Sequence, residues 1–140
     1  MPLSPPAPEI IFYDGHCALC HRTVRFVLEH DRAGIAFRFA PLAGGAFEEK
    51  VCAAQRARMP DSMAVLRCDG SLAVRSDAVV HILRRLGGAW RLAAACGSAV
   101  PGPLRDMLYD FVARIRYRLF GRRDDLCPPV PAELRSRFEL

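Results

Sequence analysis

The sequence contains no apolar run long enough to cross a membrane, for which about 18 residues or more are needed. Its longest apolar stretch, residues 92–100, is rich in small side chains and is interrupted by Gly97. Residues 1–8 have neither a basic leader nor an apolar core, so we expect a flexible tail rather than a secretory signal. We therefore predict a cytoplasmic protein without a membrane span, folded as a single domain over residues 9–140.

Cysteine and lysine are also scarce. Six cysteines in 140 residues are too few for a disulfide scaffold, in which cysteine exceeds roughly 8% of the chain. In the reducing compartment expected here, a close cysteine pair is catalytic, redox-sensing or metal-binding rather than a static crosslink. Lys50 is the only lysine, so the positive charge behind the formal net +5 comes from arginines, several of which cluster between Arg114 and Arg123.

The residues that are present favour a packed α/β domain. Hydrophobic residues make up 51% of the chain and charged residues 25%, which excludes disorder as the main state. Short β-prone runs predict strands over residues 9–13, 36–40, 62–68 and 71–75. Helical spacing predicts helices over 17–32, 45–58, 77–86 and 89–96, a long helix between Pro103 and Phe120, and a short helix near 133–138.

Turn residues and apolar spacing refine this pattern. Asp69-Gly70 predicts a hairpin between the last two strands. Ser76 is expected to cap the helix that Gly87-Gly88 ends. The long helix carries an apolar stripe at helical spacing, so we expect this face to pack into the core. The members of the stripe are Leu104, Met107, Leu108, Phe111, Val112, Ile115 and Leu119.

The order of these elements predicts a thioredoxin-like fold. The first strand, the first helix and the second strand lie within about 32 residues, which is the length of a βαβ unit with parallel strands. The hairpin that follows supplies two further strands. We therefore expect an α/β domain with a small mixed four-stranded sheet flanked by helices, and with extra helices towards its C-terminal end.

The most informative motif is Cys17-Ala18-Leu19-Cys20, at the junction between the first strand and the first helix. Unpaired backbone N–H groups and the helix dipole favour negative charge there, and such a position can lower a thiol pKa from about 8.5 to about 3.5–7.5. We expect Cys17 to be an exposed, attacking thiolate. Cys20 lies on the apolar helix face with Val24 and Val27, so we expect it to be a sheltered, resolving thiol.

The stretch Tyr13-Asp14-Gly15-His16-Cys17-Ala18-Leu19-Cys20 resembles the signature of the DCC family of predicted thiol–disulfide oxidoreductases. The resemblance extends along nearly the whole chain. It includes Asp61-Ser62, Ser76-Asp77-Ala78, Arg116-Tyr117-Arg118-Leu119-Phe120-Gly121 and Cys127. It implies a thioredoxin-like fold and thiol–disulfide oxidoreductase activity.

Three residues near the cysteine pair in sequence or fold are further candidates for the site. Asp14 either accepts a proton from Cys20 or holds the turn through backbone hydrogen bonds. His16 either stabilises the neighbouring thiolate as imidazolium or is an exposed loop residue. Pro60 precedes the third strand, as does the cis-proline that presents backbone to the substrate in thioredoxin-like proteins. Here Asp61-Ser62 follows the proline, a departure from the apolar residues usual at this point.

The remaining histidine and cysteine residues have no motif partner. His21 follows the pair on the flank of the helix and is expected at the surface. Cys52, Cys68 and Cys96 are expected to be small buried hydrophobes. Cys127, in a proline-rich tail, is the cysteine outside the pair that we most expect to be exposed.

Three alternatives to thiol–disulfide exchange remain at this stage. Structural zinc needs four ligands, and no second CxxC or paired histidine motif is present. CxxCH is also the attachment motif of c-type haem, but that chemistry belongs to exported proteins. We predict no metal, no cofactor, and protein or low-molecular-weight thiol substrates.

The third alternative is a non-catalytic module that docks an acidic partner through its arginine-rich surface. Nucleic acid is less favoured as that partner, since cations near a helix C-terminus also stabilise its dipole.

Overall fold

A computed structural model of the chain describes residues 8–14, 17–31, 36–42, 44–59, 63–119 and 137–138. Within these ranges the strands are β1 (Glu9–Tyr13), β2 (Phe37–Pro41), β3 (Ala64–Leu66) and β4 (Leu72–Val74). The helices are α1 (Ala18–His30), α2 (Gly45–Lys50), α3 (Ala53–Ala57), α4 (Arg75–Leu86), α5 (Ala89–Ala99) and α6 (Gly102–Leu119). None of these helices combines the length and the apolar character that crossing a membrane requires.

The four strands form one mixed sheet in the order β2-β1-β3-β4. β1 and β2 are parallel, with Ile11 opposite Phe39, which confirms the βαβ unit. β1 pairs antiparallel with β3, and β3 pairs antiparallel with β4, so the hairpin predicted at Asp69-Gly70 is present. Gly70 has a φ of +87°, a conformation that glycine adopts without a steric penalty. The α/β, thioredoxin-like layout predicted from the element order is the one observed.

The central strand β1 is buried along its whole length. Its successive side chains point to opposite faces of the sheet. Ile11 and Tyr13 join a core cluster with residues of α1 and α4, whereas Ile10 and Phe12 join a second cluster with residues of α2. Because both faces are covered, β1 is continuously apolar after its first residue. β1 ends at Tyr13, four residues before Cys17, the first cysteine of the motif.

A buried carboxylate fixes the beginning of β1. Glu9 is 4% exposed, and its Oε1 lies 2.7 Å from Nε2 of His81 and 3.2 Å from Nε of Arg85 on α4. Its Oε2 accepts the backbone N–H of Cys68 at 3.0 Å. Since a buried charge is costly unless it is paired and hydrogen-bonded, this cluster ties α4 and the β3–β4 turn to the first strand.

Arg137 and Phe138 complete the core beside β2. Phe138 forms a parallel bridge with Phe39, and the two ring centroids are 5.3 Å apart. The Phe138 ring also lies edge-on to Tyr13 at 6.3 Å. Arg137 donates from Nη2 to the buried Asp31 carboxylate at 2.6 Å, and the same carboxylate oxygen accepts the backbone N–H groups at the start of β2. The rest of the helix predicted near 133–138 lies outside the described residues.

The single helix predicted over residues 45–58 is wrong, because two short helices, α2 and α3, occupy this range. Val51 has φ −106° and ψ 126°, and Cys52 has φ −67° and ψ 156°, so both residues are extended. The extended backbone turns the Val51 side chain into the core, where it is 1% exposed. Burial of one apolar side chain outweighs the continuity of a weakly helical sequence.

The predicted helix cap at Ser76 is also wrong. α4 begins at Arg75, and Val74 occupies the N-cap position without a capping side-chain bond. The hydroxyl of Ser76 donates instead to the carboxylate of Asp106 on α6, and Nε of Arg105 donates to the same hydroxyl at 2.9 Å. Ser76 therefore connects two helices rather than ending one.

The apolar stripe of α6 was predicted to lie in the core, and this prediction is wrong. Polar contacts attach the helix to the domain: the backbone N–H of Met63 donates to the Tyr109 hydroxyl at 3.0 Å, and Arg105 pairs with Asp77 at 2.6 Å. These contacts turn most of the stripe outward, and of its seven members only Ile115 is half-buried rather than exposed. The exposed fractions are 49% for Leu104, 68% for Met107, 60% for Leu108, 60% for Phe111, 42% for Val112 and 67% for Leu119.

Candidate active site

The cysteine motif lies where the chain leaves β1 and enters α1. The backbone N–H of Cys17 donates to the carbonyl of Asp14 at 3.2 Å, which forms the turn between the two elements. Cys17 is the N-cap residue of α1, with φ −99° and ψ 119°. Its Sγ accepts the backbone N–H of Cys20 at 3.4 Å. The sulfur thus replaces the capping oxygen that a serine or aspartate usually supplies.

Both cysteines of the motif are buried, and the predicted exposure of Cys17 is wrong. Cys17 is 0% exposed and Cys20 is 7% exposed. Because the Cys17 side chain folds back over the helix terminus to reach the N–H of Cys20, it enters the core cluster that contains Tyr13 and Val24. The predicted shelter of Cys20 on the apolar face of α1 is confirmed.

Cys20 borders a cavity of about 610 Å³ that lies against α1, α4, α5 and α6. Met63, three residues after Pro60, also lines this cavity, together with Leu19 of the motif itself. The cavity therefore brings the second cysteine, the start of β3 and the long helix α6 to one place. The sequence could not indicate that α6 lies beside the cysteine motif, because most of the chain separates the two.

His21 is a site residue that the sequence interpretation missed. It was expected at the surface, but it is 3% exposed. Its ring lies edge-on to Tyr13 at 6.1 Å, and its backbone N–H donates to the Cys17 carbonyl at 3.1 Å. The sequence could have indicated that His21 is buried, because residues 21, 24 and 28 fall on one helix face.

The other predicted site residues divide into described and undescribed positions. Asp14 is half-buried in the turn before Cys17, and its backbone carbonyl accepts the N–H of Cys17; the two side-chain roles expected for Asp14 stay predictions. His16 and Pro60, both named as candidates from sequence, lie outside the described residues. The structure thus brings Asp14, Cys17 and Cys20 together. Cys127 and part of the arginine cluster, including Arg122 and Arg123, also lie outside the described ranges.

The remaining described cysteines are exposed, so their predicted burial is wrong. Cys52 is the N-cap residue of α3, Cys68 lies in the turn after β3, and Cys96 is an exposed residue of α5. Among the described positions, no three or more histidine, cysteine, aspartate or glutamate side chains are grouped so as to hold a metal ion.

Comparison with known proteins assigns the chain to a family. The model of the DCC1-like thiol-disulfide oxidoreductase family matches residues 11–122, which include the cysteine motif and the entire hairpin. The chain belongs to the DCC1-like family. This membership agrees with the resemblance noted at the motif, and it supports a redox function.

Two relatives of this DCC1-like protein have similar sequences. The uncharacterised protein YuxK of Bacillus subtilis (strain 168) is 34% identical over 134 residues, which are 93% of each chain. The chloroplastic DCC family protein At1g52590 of Arabidopsis thaliana is 34% identical over 115 residues, which are 82% of this chain and 66% of the plant protein. No solved structure matches the chain significantly.

Proposed function

We propose that this DCC1-like protein is a thiol–disulfide oxidoreductase that acts through Cys17 and Cys20. The observation that carries the proposal is the position of the Cys17 sulfur, at the N-terminus of α1 and 3.4 Å from the N–H of Cys20. A donated N–H and the positive end of the helix dipole stabilise a thiolate over a thiol. Cys20 lies one helical turn later, where its sulfur can reach that of Cys17.

The proposed reaction needs no bound cofactor. One thiolate of the pair attacks a substrate disulfide, and a mixed disulfide forms while the other substrate sulfur leaves as a thiolate. The second cysteine then attacks the protein sulfur of the mixed disulfide. This step releases the reduced substrate and leaves a Cys17–Cys20 disulfide, which a second thiol or a reductase returns to the dithiol. We propose protein or low-molecular-weight disulfides as substrates and the cytoplasm as the compartment.

The surroundings of Cys17 and Cys20 affect which of the two sulfurs attacks the substrate first. The N-cap position favours Cys17 as the attacking thiolate, but its sulfur is fully buried. Substrates that reach Cys17 therefore require the residues around the motif to move. We assign supporting roles to Asp14 as a proton acceptor for Cys20, to His16 as a cation beside the thiolate, and to Pro60 as a substrate-binding residue.

Replacement of single cysteines tests the proposal. Reduced protein is mixed with glutathione disulfide, and the products are identified by mass spectrometry after alkylation. We expect the wild type to form an intramolecular Cys17–Cys20 disulfide, and both Cys17→Ser and Cys20→Ser to lose it. Cys52→Ser is the matched control, because Cys52 is exposed and is the N-cap residue of a different helix, and it should react like the wild type.

Two outcomes would contradict the proposal. If Cys17→Ser or Cys20→Ser oxidised as fast as the wild type to an intramolecular product, other cysteines would carry the reaction. If the wild type formed no disulfide while still binding an acidic partner, the non-catalytic docking module would be the better interpretation.

A further inference from the structure

The cavity beside Cys20 has the size and lining of a small-molecule site. Its volume of about 610 Å³ falls within the range of roughly 300–1,000 Å³ typical of ligand pockets. Most of the lining side chains are aliphatic or aromatic, as in binding sites for apolar ligands. The helices α1, α4, α5 and α6 all contribute such residues, for example Phe26, Val80, Leu83, Ala93, Leu108 and Val112.

The cavity also has a chemical identity beyond its apolar walls. Cys20 contributes the thiol of the proposed redox pair to the lining. The charged residues that border the cavity, Arg22 and Arg105, are both cationic. Arg105 is already occupied, because its guanidinium pairs with the Asp77 carboxylate at 2.6 Å and donates to the Ser76 hydroxyl at 2.9 Å and the Gly97 carbonyl at 3.2 Å. An apolar wall that contains a thiol suits one class of ligand, an apolar disulfide.

We propose that this cavity binds an apolar, low-molecular-weight disulfide, with the disulfide against Cys20 and the aliphatic part among the helices. This inference rests on the proposed function and deepens it by naming the substrate class. Because Cys20 lines the cavity and Cys17 does not, a ligand bound there meets Cys20 first. For this ligand class, access therefore reverses the order that the N-cap position of Cys17 favours.

The reaction of such a ligand balances without another reactant. The Cys20 thiolate attacks one ligand sulfur, forming a protein–ligand disulfide, and the second ligand sulfur leaves as a thiolate that takes a proton. Cys17 then attacks the Cys20 sulfur and closes the Cys17–Cys20 disulfide. The remaining ligand sulfur leaves and is protonated. Two electrons and two protons have moved from the protein dithiol to the ligand.

Two probes and two variants test the cavity. Lipoic acid is a cyclic disulfide on an aliphatic chain that ends in a carboxylate, and asparagusic acid has the same ring and carboxylate without the chain. Leu108 lines the cavity and is 60% exposed, whereas its neighbour Met107 is 68% exposed and is not part of the lining. Leu108→Glu therefore places a charge at the cavity, and Met107→Glu is a control of matched exposure and charge.

The measured quantity is the KM for oxidation of reduced protein by each probe. Each buried methylene contributes a factor of about 4 in affinity, so we expect lipoic acid to have a KM at least about tenfold below that of asparagusic acid. Leu108→Glu should remove most of this difference, and Met107→Glu should preserve it. Val112→Glu, at a second lining position that is 42% exposed, should act like Leu108→Glu if the latter folds poorly.

Further measurements separate this inference from the proposed function. Octanoic acid has a comparable chain and carboxylate without sulfur, and calorimetry with the Cys17→Ser/Cys20→Ser protein measures its binding alone. If octanoic acid binds and Leu108→Glu abolishes this binding, the cavity site is supported even when no disulfide exchange occurs. In that case only the redox proposal fails. Equal KM values for the two disulfides together with no octanoic acid binding would overturn the cavity site and leave the exchange chemistry standing.

The order of attack has its own test. Lipoic acid and an alkylating agent are added to Cys17→Ser protein, so that the released ligand thiol is blocked and the ring cannot close again. We expect the ligand to remain attached to Cys20. Faster adduct formation on Cys17 in the Cys20→Ser protein would overturn the assignment of Cys20 as the first sulfur.

Discussion

Replacing Phe138 by alanine should destabilise the protein strongly, because this ring completes the core next to β2. Phe138 is 8% exposed and packs against the rings of Phe39 and Tyr13, with centroid distances of 5.3 Å and 6.3 Å. Removal of a buried phenylalanine side chain costs about 3–5 kcal/mol. Since Phe138 lies at the edge of the core and contacts solvent, we expect a value near the lower end, about 3 kcal/mol.

The assay is urea denaturation followed by circular dichroism, with Phe111→Ala as the control. Phe111 is the same residue type but is 60% exposed on α6, so its truncation should cost less than about 1 kcal/mol. For a chain of this size, the loss at Phe138 corresponds to a fall in melting temperature of about 10 °C. If the two variants differed by less than about 0.5 kcal/mol, the argument that Phe138 belongs to the core would be refuted.

Further predictions concern the buried charge, one turn and one titrating group. Glu9→Gln removes the charge opposite Arg85 and should lower the free energy of unfolding by about 2 kcal/mol in urea titrations; no change would contradict the pairing. Gly87 has φ +73° and ψ −170°, so Gly87→Ala should cost about 1–3 kcal/mol of backbone strain in the same assay. Hydrogen bonds from the hydroxyl and backbone N–H of Ser71 hold the pKa of Asp69 below its ordinary value of 3.8, so Ser71→Ala should raise this pKa in NMR titrations. A depressed carboxylate pKa stabilises the fold above the unfolded-state pKa, and the contribution is lost as the pH falls through the folded-state value.

The sheet was largely predictable from the sequence because its signals are local. The run Glu9–Tyr13 is the observed β1, and Asp69-Gly70 is the observed turn. Parallel pairing of β1 with β2 follows from the length of the connection, since a βαβ unit constrains how the second strand returns. The two cysteines are also local, so their placement at the start of α1 was predictable from the same junction.

The errors arose where tertiary contacts compete with local pattern. The spacing of α6 indicated an apolar face, but it could not show that Tyr109 and Asp106 would attach the helix through polar contacts instead. Ser76 is a residue type that often caps helices, but its hydroxyl donates to the carboxylate of Asp106 instead. The burial of Cys17 depends on a side-chain rotation towards the N–H of Cys20, and no residue pattern specifies that rotation.

The bridge between Phe138 and β2 has a consequence for synthesis on the ribosome. Translation proceeds from the N-terminus, so the nascent chain can pair all four strands well before residue 138 is added. During roughly a few seconds of further elongation at about 5–20 residues per second, the outer edge of β2 lacks its bridge to Phe138. An unpaired strand edge is a template for pairing with another chain, so we expect the nascent chain to be more prone to association through β2 in this interval than after Phe138 is in place.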